Sequence, residues 1–303
     1  MNPVWALIIS NVIWGAAAPI FKYALTDIPP FTFLFLRFFF AAVIFFPAVK
    51  YVEIRSINKI SWVEIIVGSI MGFTIHIGFL FLGLQKTESI NSSIILIGSP
   101  ILLLILNVVF LHKKVPLKII SGVALSTIGV FLIIFAPFLF TKGSSFSAGA
   151  FEGNMLYFGS LVSNVLAVIL FKRVSKLISP FTITFLSFAI AALSFFPFMI
   201  HELSTWNFTM LGQEGYIGIF YGIFFSSAVA YYLYFYGLRK LTTTDVEIFG
   251  YLNPIFTVLI AIPLLKEYPS PFFMAGALFI CVGLIISEIK PHSHHLRSIK
   301  KED

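Results

Sequence analysis

The chain contains an internal repeat, and this feature constrains its fold more than any other. The segment Pro30–Pro47, PFTFLFLRFFFAAVIFFP, returns as Pro180–Pro197, PFTITFLSFAIAALSFFP. At an offset of 150 residues, 11 of the 18 positions are identical. The units of solenoid proteins are about 20 to 50 residues long, so this period is too long for a solenoid. The repeat instead predicts two homologous halves within one protein.

The similarity between the halves extends beyond this segment. Upstream, Phe21-Lys22 matches Phe171-Lys172 at the same offset, whereas downstream the offset becomes 154. The second half therefore carries four extra residues, which we expect in the loop after Pro197. At the offset of 154, Gly68, Gly83, Pro100, Gly122 and Gly129 match Gly222, Gly237, Pro254, Gly276 and Gly283. Glycines and prolines that recur in register indicate a shared backbone geometry.

The composition is that of an integral membrane protein. Hydrophobic residues make up 59% of the chain and charged residues 11%, compared with about 25% charged residues in soluble domains. The apolar runs are long and unbroken, which favours helices over the short alternating segments of a β-barrel. The single cysteine, Cys281, excludes an internal disulfide and a cysteine-based metal site, and we expect neither a metal nor a cofactor.

Ten apolar segments are long enough for spanning helices, which need roughly 20 residues. They are residues 4–25, 30–49, 62–84, 90–111, 117–139, 153–171, 180–200, 215–238, 246–265 and 271–288. The sequence thus predicts an all-α membrane protein with ten transmembrane helices, five in each half. We expect a first repeat at 1–140, an extracytoplasmic linker at 141–152, a second repeat at 153–289 and a basic cytoplasmic tail at 290–303.

The basic residues are divided unequally between the two sides of the predicted bundle. With the N-terminus in the cytoplasm, 15 of the 20 Lys and Arg residues fall on the cytoplasmic side and four on the other. The positive-inside rule therefore predicts cytoplasmic termini, and it accounts for the net charge of +7 without a nucleic-acid partner. Because each half has an odd number of helices, the second half must insert in the opposite orientation. This predicts a 5+5 inverted repeat in the cytoplasmic membrane, with a substrate site near the midplane between the halves.

Motifs along the whole chain resemble a known family. In the first half, Trp14-Gly15 is followed by Lys22, and Pro29-Pro30 is followed by Arg37 and Ala41-Ala42. The motifs of the second half are Gly237-Leu238, Glu247, Tyr251-Leu252, Pro254, Lys266-Glu267 and Gly276 with Gly283. From about Val4 to Ile286 the chain resembles the EamA-type transporters of the drug/metabolite transporter superfamily. The resemblance implies a ten-helix secondary carrier, mostly exporting small metabolites such as amino acids. One departure is that His112-Lys113 stands in the first half where the second has Lys266-Glu267.

His76 is the most informative polar residue in the predicted spans. It follows Gly68 and Gly72 at four-residue spacing, so the three share a helix face, and small residues at this spacing mark a packed interface. We therefore expect His76 to face the bundle interior. Its counterpart in the second half is Ala230, so the repeat does not require a histidine. Because histidine changes charge near neutral pH, a substrate- or proton-binding role competes with that of a neutral, hydrogen-bonded bundle residue.

Two charged residues, Arg37 and Glu247, lie within predicted spans, where charges are costly and are functional candidates by default. Arg37 lies close to the outer end of the second helix. It can extend toward the interface or bond backbone carbonyls, and we interpret it as structural. Glu247 lies one turn into the ninth helix, on the same face as Tyr251. Its carboxylate either binds an ammonium group or a coupling proton, or pairs with Arg239 or Lys240 at the interface.

Pro100 and Pro254 fall in the middle of two equivalent predicted helices. A proline at such a position removes a backbone donor and kinks the helix, so both helices are candidates for bending gates. Ser99 and Asn253 precede the prolines and can satisfy the freed backbone groups locally.

Further polar and aromatic residues are expected to face the bundle interior. Asn11 and Trp14 share a face of the first helix, and Asn164 is the counterpart of Trp14 in the sixth. The aromatic run at 231–236 covers every face of the eighth helix, so its rings divide between lipid and interior. The candidate cavity residues are Asn11, Trp14, His76, Ser99, Asn164, Tyr231, Tyr232, Glu247 and Tyr251.

These features predict a secondary transporter, not an enzyme, that moves a small metabolite by alternating access. We expect an amino acid or a similar polar or zwitterionic solute, export as the direction, protons as a candidate coupling ion, and a monomer or weak dimer in membrane lipid. Two alternative activities stay open, besides a structural or receptor module that transports nothing. A carrier of phosphorylated or nucleotide-linked metabolites needs several converging cations, and Arg37 is the only deep one. A membrane-embedded enzyme needs a catalytic set, and the spans contain no evident Ser–His–Asp or metal-binding arrangement.

Overall fold

The computed structural model describes residues 2–49, 51–99, 102–103, 106, 117–140, 146–243, 246 and 249–288, and the regular elements in these ranges are all helical. In chain order they are α1 (Pro3–Ala24), α2 (Pro30–Phe45), α3 (Tyr51–Ser56), α4 (Lys59–Ser69), α5 (His76–Lys86), α6 (Ser89–Leu96), α7 (Leu117–Phe140), α8 (Phe146–Val174), α9 (Pro180–Glu202), α10 (Gln213–Phe220), α11 (Ala230–Lys240), α12 (Asn253–Leu265) and α13 (Pro271–Glu288). Short 3-10 turns lie at Phe46–Ala48, Phe208–Met210 and Phe249–Leu252.

The helices have the length and composition of membrane spans. Within the described ranges, six continuous helical segments are long and apolar enough to cross a membrane: Pro3–Ala24, Pro30–Ala48, Lys59–Lys86, Gly149–Val174, Pro180–Glu202 and Gln213–Lys240. Shorter apolar helices lie at Ile120–Ile133, Phe249–Leu265 and Pro271–Gly283. The prediction of an all-α membrane protein is therefore confirmed, and the count of ten spanning helices stays a prediction.

Two of the continuous segments contain wide helical turns at equivalent positions. A π-helical stretch, Ile70–Ile75, joins α4 to α5, and another, Tyr221–Val229, joins α10 to α11. At the offset of 154 residues the first stretch maps onto the last six residues of the other, so His76 and Ala230 each follow a π-helix directly. π-Helical turns are rare in proteins, and those that do occur are often found at functional sites.

Helices α2 and α9, which carry the two copies of the repeat, pack against each other through reciprocal aromatic contacts. Phe38 lies beside its own counterpart Phe188, with ring centroids 5.5 Å apart. Phe38 also contacts Phe195 at 6.1 Å, and the matching pair, Phe45 and Phe188, is 6.0 Å apart. Because an earlier position in each helix meets a later position in the other, α2 and α9 are antiparallel.

The ends of this helix pair are joined in the same reciprocal way. Glu202, the last residue of α9, accepts hydrogen bonds from the N–H groups of Phe31 and Thr32 at the start of α2, at 3.1 and 2.6 Å. Glu53, in α3, accepts from the N–H of Ser179 just before α9, at 3.0 Å. The first N–H groups of a helix lack intrahelical partners and carry partial positive charge. The two carboxylates therefore stabilise both helix N-termini.

Helices α7 and α13 approach closely at matched glycines. A Cβ at Gly129 would lie 2.5 Å from the carbonyl oxygen of Gly276, and one at Gly283 would lie 2.4 Å from that of Gly122. Since Gly122 corresponds to Gly276 and Gly129 to Gly283, these two contacts are also exchanged by the repeat. Small residues at such crossings let two helix backbones come together.

The helix boundaries correct the predicted spans in three places. Helix α6 ends at Leu96 and a turn follows at 97–98, so the span predicted at 90–111 is interrupted. Pro254 occupies the first turn of α12 instead of the middle of a helix. A proline is tolerated there, because the N–H that it lacks would have no partner within the α-helix. Helix α8 begins at Phe146, inside the segment predicted as a linker. Pro100, the other predicted kink, lies outside the described residues.

Candidate functional site

A cavity of about 150 Å³ lies inside the bundle, and both halves of the chain contribute to its lining. The first half provides side chains from α1, α2, α5, α6 and residue 99, and the second from α8, the Tyr221–Val229 segment, α11, α12 and residues 246 and 250. The polar and aromatic lining residues are Asn11, Trp14, Phe21, Arg37, His76, Ser92, Ser93, Ser99, Asn164, Ser226, Tyr231, Tyr234, Asn253 and Thr257.

The structure brings most of the sequence-predicted candidates to this one cavity. Asn11, Trp14, His76, Ser99, Asn164 and Tyr231 line it. The described residues that line the cavity do not include Tyr232 or Tyr251. The ring of Tyr232 instead packs on that of Phe181, with centroids 4.5 Å apart. Glu247 lies outside the described residues. Tyr234, on the same helix as Tyr231 and one turn further along, lines the cavity, whereas the sequence predicts Tyr232 there.

Aromatic side chains of α1 and α11 form one wall. The indole Nε1 of Trp14 donates to the carbonyl of Ser226 at 3.1 Å. Its ring lies 4.8 Å from that of Tyr231 and 5.2 Å from that of Tyr234. This wall joins an apolar surface to polar edges, as binding sites for small organic solutes commonly do.

His76 is held by Ser160 of α8. The His76 Nδ1 lies 2.6 Å from the Ser160 hydroxyl and 3.0 Å from the Ser160 carbonyl oxygen. The same hydroxyl donates to the His76 carbonyl at 2.8 Å. Because the Ser160 carbonyl oxygen can only accept, a hydrogen bond between it and Nδ1 requires the ring proton on Nδ1, which leaves Nε2 as the acceptor in the neutral ring. Gly68 and Gly72 pack on α8, as expected, at Phe171 and Ala167.

Arg37 is buried, with 1% of its surface exposed, so of the two structural roles considered for it, extension toward the interface is not the one found. Its Nε donates to the Ser227 hydroxyl at 2.7 Å and its Nη2 to the Ser226 hydroxyl at 3.0 Å. The guanidinium carbon lies 4.8 Å from the ring centroid of Phe21 and 5.0 Å from that of Phe38. Hydroxyl groups of the facing π-helical segment and two aromatic rings thus hold the cation inside the bundle.

The break before α12 places polar backbone and side-chain groups at the cavity. The Thr257 hydroxyl lies 2.9 Å from the carbonyl oxygen of Asn253 and 2.7 Å from that of Gly15. A Cβ at Gly15 would lie only 2.8 Å from the Asn253 carbonyl, so α1 can approach this point only because residue 15 is glycine. The Asn253 side-chain Oδ1 is buried and has no hydrogen-bond partner among the described residues.

A largely buried ion pair joins α1 to the chain after α12, one residue along from the cavity-lining Phe21. The Lys22 ammonium lies 2.6 Å from Oε1 of Glu267 and donates to the carbonyl of Thr87 at 2.7 Å. The other carboxylate oxygen of Glu267 accepts from the N–H and the hydroxyl of Ser89, at 2.8 and 2.6 Å. Only 8% of the Glu267 side chain is exposed. Helix α1, the start of α6 and the chain after α12 therefore meet at one carboxylate.

The second half repeats part of this arrangement. Lys172, the counterpart of Lys22, donates to the carbonyls of Leu238, at 2.5 Å, and Leu241. Leu241 is the counterpart of Thr87, so each lysine binds the end of the equivalent helix. The counterpart of Glu267 is Lys113, which lies outside the described residues.

Known proteins of similar sequence decide the family. The EamA-like transporter family matches residues 1–135 and 151–288. The chain belongs to the EamA-like transporter family. This confirms the resemblance drawn from the motifs, and the EamA-like chain is thereby assigned to a family of membrane transporters.

Relatives of the EamA-like chain carry the same kind of name. An "uncharacterized transporter" of Archaeoglobus fulgidus is 27% identical over 94% of this chain and 97% of its own length. The "uncharacterized transporter YetK" of Bacillus subtilis is 26% identical over 96% of this chain and 88% of its own. A crystal structure with 16% identity superposes with a TM-score of 0.65, covering 94% of this chain and 96% of that one, which shows a shared fold.

Several site residues escaped the sequence analysis. Arg37 was assigned a structural role, and Asn253 was considered only as a partner for freed backbone groups. The Lys22–Glu267 pair was not predicted, because the repeat relates Glu267 to its counterpart Lys113 and not to its ion-pair partner Lys22. A search for opposite charges inside apolar runs would have found that pair.

Proposed function

We propose that this EamA-like chain is a ten-helix secondary transporter, built as a 5+5 inverted repeat, that moves a small metabolite by alternating access. The proposed solute is an amino acid or a similar polar or zwitterionic compound, exported across the cytoplasmic membrane. The repeats are 1–140 and 153–289, the segment that joins them, which includes the start of α8, lies outside, and both termini lie in the cytoplasm. The observation that carries the proposal is a cavity with a polar lining drawn from both halves.

Reciprocal contacts between the repeats support opposite insertion of the two halves. The pairing of Phe38 with Phe195 and of Phe45 with Phe188 makes α2 and α9 antiparallel. The glycine contacts between α7 and α13 are reciprocal as well, because Gly129 meets Gly276 and its counterpart Gly283 meets Gly122. In inverted repeats of this kind the solute site lies between the halves, and access alternates as one half moves against the other.

The ion pair of Lys22 with Glu267 gives such a movement a contact to break and re-form. A solute reaches the cavity only if the helices part at one side. On the side of Lys22, parting requires separation of the ammonium from Glu267 and of Glu267 from the start of α6. We propose this cluster as the extracytoplasmic closure of the transporter.

Solute flux in proteoliposomes tests the proposal. Purified protein is reconstituted with an unlabelled L-amino acid inside, and uptake of the labelled compound is followed by counterflow, across a panel of small amino acids. Uptake above that of protein-free liposomes, with saturation and competition, is the expected result. The cavity variant Trp14→Ala should lose this uptake. Trp5→Ala should keep it, because Trp5, also in α1, is 61% exposed. Failure of every solute in the panel would contradict the proposal.

The two alternatives have their own tests. Phosphorylated solutes would need more than one cation, and Arg37 is the only Lys or Arg among the described lining residues. Counterflow with a sugar phosphate or a nucleotide would reveal such a carrier. For an enzyme, the described residues include no group of three His, Cys, Asp or Glu side chains that could hold a metal. Turnover of lipids or peptides by the purified protein would favour that alternative.

A further inference from the structure

We infer that Arg37 binds the carboxylate of the transported solute, and that the solute is a compact monocarboxylate with a hydrogen-bond donor that Asn253 accepts. This inference rests on the proposed function, since it takes the cavity as the solute site. It assigns a chemical class to the ligand and a separate role to each of two residues.

The first argument is the charge of Arg37. In the described part of the chain, ion pairs join Lys22 to Glu267, Lys86 to Glu152 and Arg173 to Glu64, and none of them includes Arg37. Its hydrogen bonds to Ser226 and Ser227 go to neutral hydroxyl groups. A buried positive charge without an anion is costly, and the planar guanidinium fork matches a carboxylate well. A bound carboxylate would offset that cost at the cavity wall.

The second argument is the number of charges. The described lining residues contain one cation, so a monoanion is neutralised there and a phosphate dianion keeps an unpaired charge. Lys22, the next candidate, is already bound to Glu267 and Thr87. The cavity therefore favours a carboxylate over a phosphoryl group.

The third argument is the unpaired oxygen of Asn253. Its Oδ1 is buried without a hydrogen-bond partner, and Asn253 lines the same cavity as Arg37. Buried polar atoms are nearly always hydrogen-bonded, and an unpaired one marks a place for a ligand or water. An acceptor calls for a donor on the solute. A hydroxyl group meets this requirement and keeps the charge balance with Arg37, whereas an ammonium group meets it and adds one positive charge.

The cavity volume limits the size of the solute. A cavity of about 150 Å³ holds a molecule the size of benzene, which has about six non-hydrogen atoms. L-lactate and L-alanine have this size and combine one carboxylate with one donor. The ammonium of alanine and the hydroxyl of lactate are the two sources of the donor that an experiment can separate.

Thermal unfolding of the purified, detergent-solubilised full-length chain tests the inference without relying on transport. The probes are L-lactate, L-alanine, propionate, lactamide and inorganic phosphate, each at millimolar concentration. Lactamide removes the negative charge of lactate, and propionate removes its donor. We expect lactate, alanine or both to raise the melting temperature. We expect a smaller rise with propionate, and none with lactamide or phosphate.

Variants assign the two roles. Arg37→Met should weaken carboxylate binding about tenfold or more, and Arg37→Lys, which keeps the charge but loses the fork, should weaken it less. Asn253→Leu should remove the preference for lactate over propionate while propionate still binds. Arg173→Met is the matched control, because it removes an arginine whose side chain is 75% exposed. This control should bind like the wild type.

The outcomes separate this inference from the proposed function. Equal stabilisation by lactate and lactamide, unchanged carboxylate binding in both Arg37 variants, or no stabilisation by any carboxylate would overturn the inference. If proteoliposomes transport a solute without a carboxyl group, and Arg37→Met transports it normally, the transporter stands and the inference fails. If carboxylates bind in an Arg37-dependent way but no solute moves, the binding site stands and the proposed transport fails.

Discussion

Phe38 and Phe188 occupy the same position in the two copies of the repeat, and their rings meet 5.5 Å apart at the interface of α2 and α9. A residue touches its own counterpart only where a two-fold axis passes between them. Since α2 and α9 are antiparallel, this axis runs across the helices and not along them. If both helices cross the membrane, the axis lies in the membrane plane.

The first prediction concerns the membrane topology that this axis supports. In a Cys281→Ser background, Ser145→Cys should react with a membrane-impermeant thiol reagent in intact cells, and His295→Cys should not. The expected reason is that the linker between the repeats lies outside and the basic tail inside. Disruption of the cells should expose residue 295 to the reagent, which shows that the cysteine is reactive. Labelling at 295 and protection at 145 in intact cells would reverse the topology.

The second prediction concerns His76. Ser160 holds the Nδ1 atom of His76, and the residue lines the cavity. If His76 binds solute or a proton there, the imidazole ring is the group that does so, and glutamine cannot replace it. We expect His76→Gln to abolish transport in proteoliposomes, or to flatten its dependence on pH between about 5 and 8. His201→Gln, at the exposed end of α9, is the matched control. Wild-type flux with an unchanged pH profile in a normally folded His76→Gln protein would leave the histidine a structural role.

The third prediction concerns the buried ion pair. Glu267→Gln leaves Lys22 without its anion and weakens the contacts to Ser89, so the free energy of unfolding should fall by about 3 kcal/mol or more. Glu152→Gln breaks the exposed pair with Lys86, in which both side chains are more than a third exposed, and should cost less than about 1 kcal/mol. Denaturation of both variants in the same detergent gives the comparison. Equal losses would mean that burial does not strengthen the Lys22–Glu267 pair.

The fourth prediction concerns Glu88, which lies between α5 and α6, outside the spans. Burial, and next the negative charge of Glu267, raise the pKa of the Glu88 carboxyl, whereas Lys22 opposes the rise. A raised pKa means that the folded state binds the proton more tightly, so this group lowers stability as the pH rises through its folded pKa. Glu88→Gln should therefore stabilise the protein at neutral pH and not at acid pH. Melting temperatures of wild type and variant across this range test it, and parallel curves would refute it.

The fifth prediction concerns the contact of α7 with α13. Gly276→Ala places a methyl group 2.5 Å from Ile133 and 2.8 Å from the Gly129 carbonyl, where backbone must move. We expect a loss of about 1–3 kcal/mol in the free energy of unfolding. Gly149→Ala meets only the Lys86 carbonyl, at 3.8 Å, and should be neutral or slightly stabilising. A neutral effect at 276 would show that the two helices can separate without cost.

The sequence predicted an all-α membrane protein, its family and six of the polar and aromatic residues that line the cavity. These properties depend on local patterns, such as apolar runs for the helices and isolated polar residues within them for the interior. The partner of a residue is harder to predict. Arg37 was misplaced because its two hydroxyl partners, Ser226 and Ser227, lie almost 190 residues away in the chain. Nothing local distinguishes an arginine that extends to the interface from one that is bound inside.

Local helix geometry also escaped prediction. The stripe of Gly68, Gly72 and His76 assumes an α-helix, but the π-helical stretch lies within it. The sequence predicts a mid-helix kink at Pro254 because it places the start of the span at residue 246, whereas α12 begins at Asn253. Hydrophobicity shows where a segment enters the membrane, and it does not show where the backbone changes its hydrogen-bond pattern.

The contact between Phe38 and Phe188 has a consequence for how such a protein can arise. An assembly of two separate copies of the first half would have an arginine at position 37 and again at the place of Ser187, next to the same axis. Two buried guanidinium groups without anions would repel each other. When both copies are parts of one polypeptide, position 187 can change independently, and here Ser187 forms a hydrogen bond of 3.1 Å with Ser69. Covalent fusion after duplication thus permits a single cation beside the axis, which a homodimer of identical subunits cannot have.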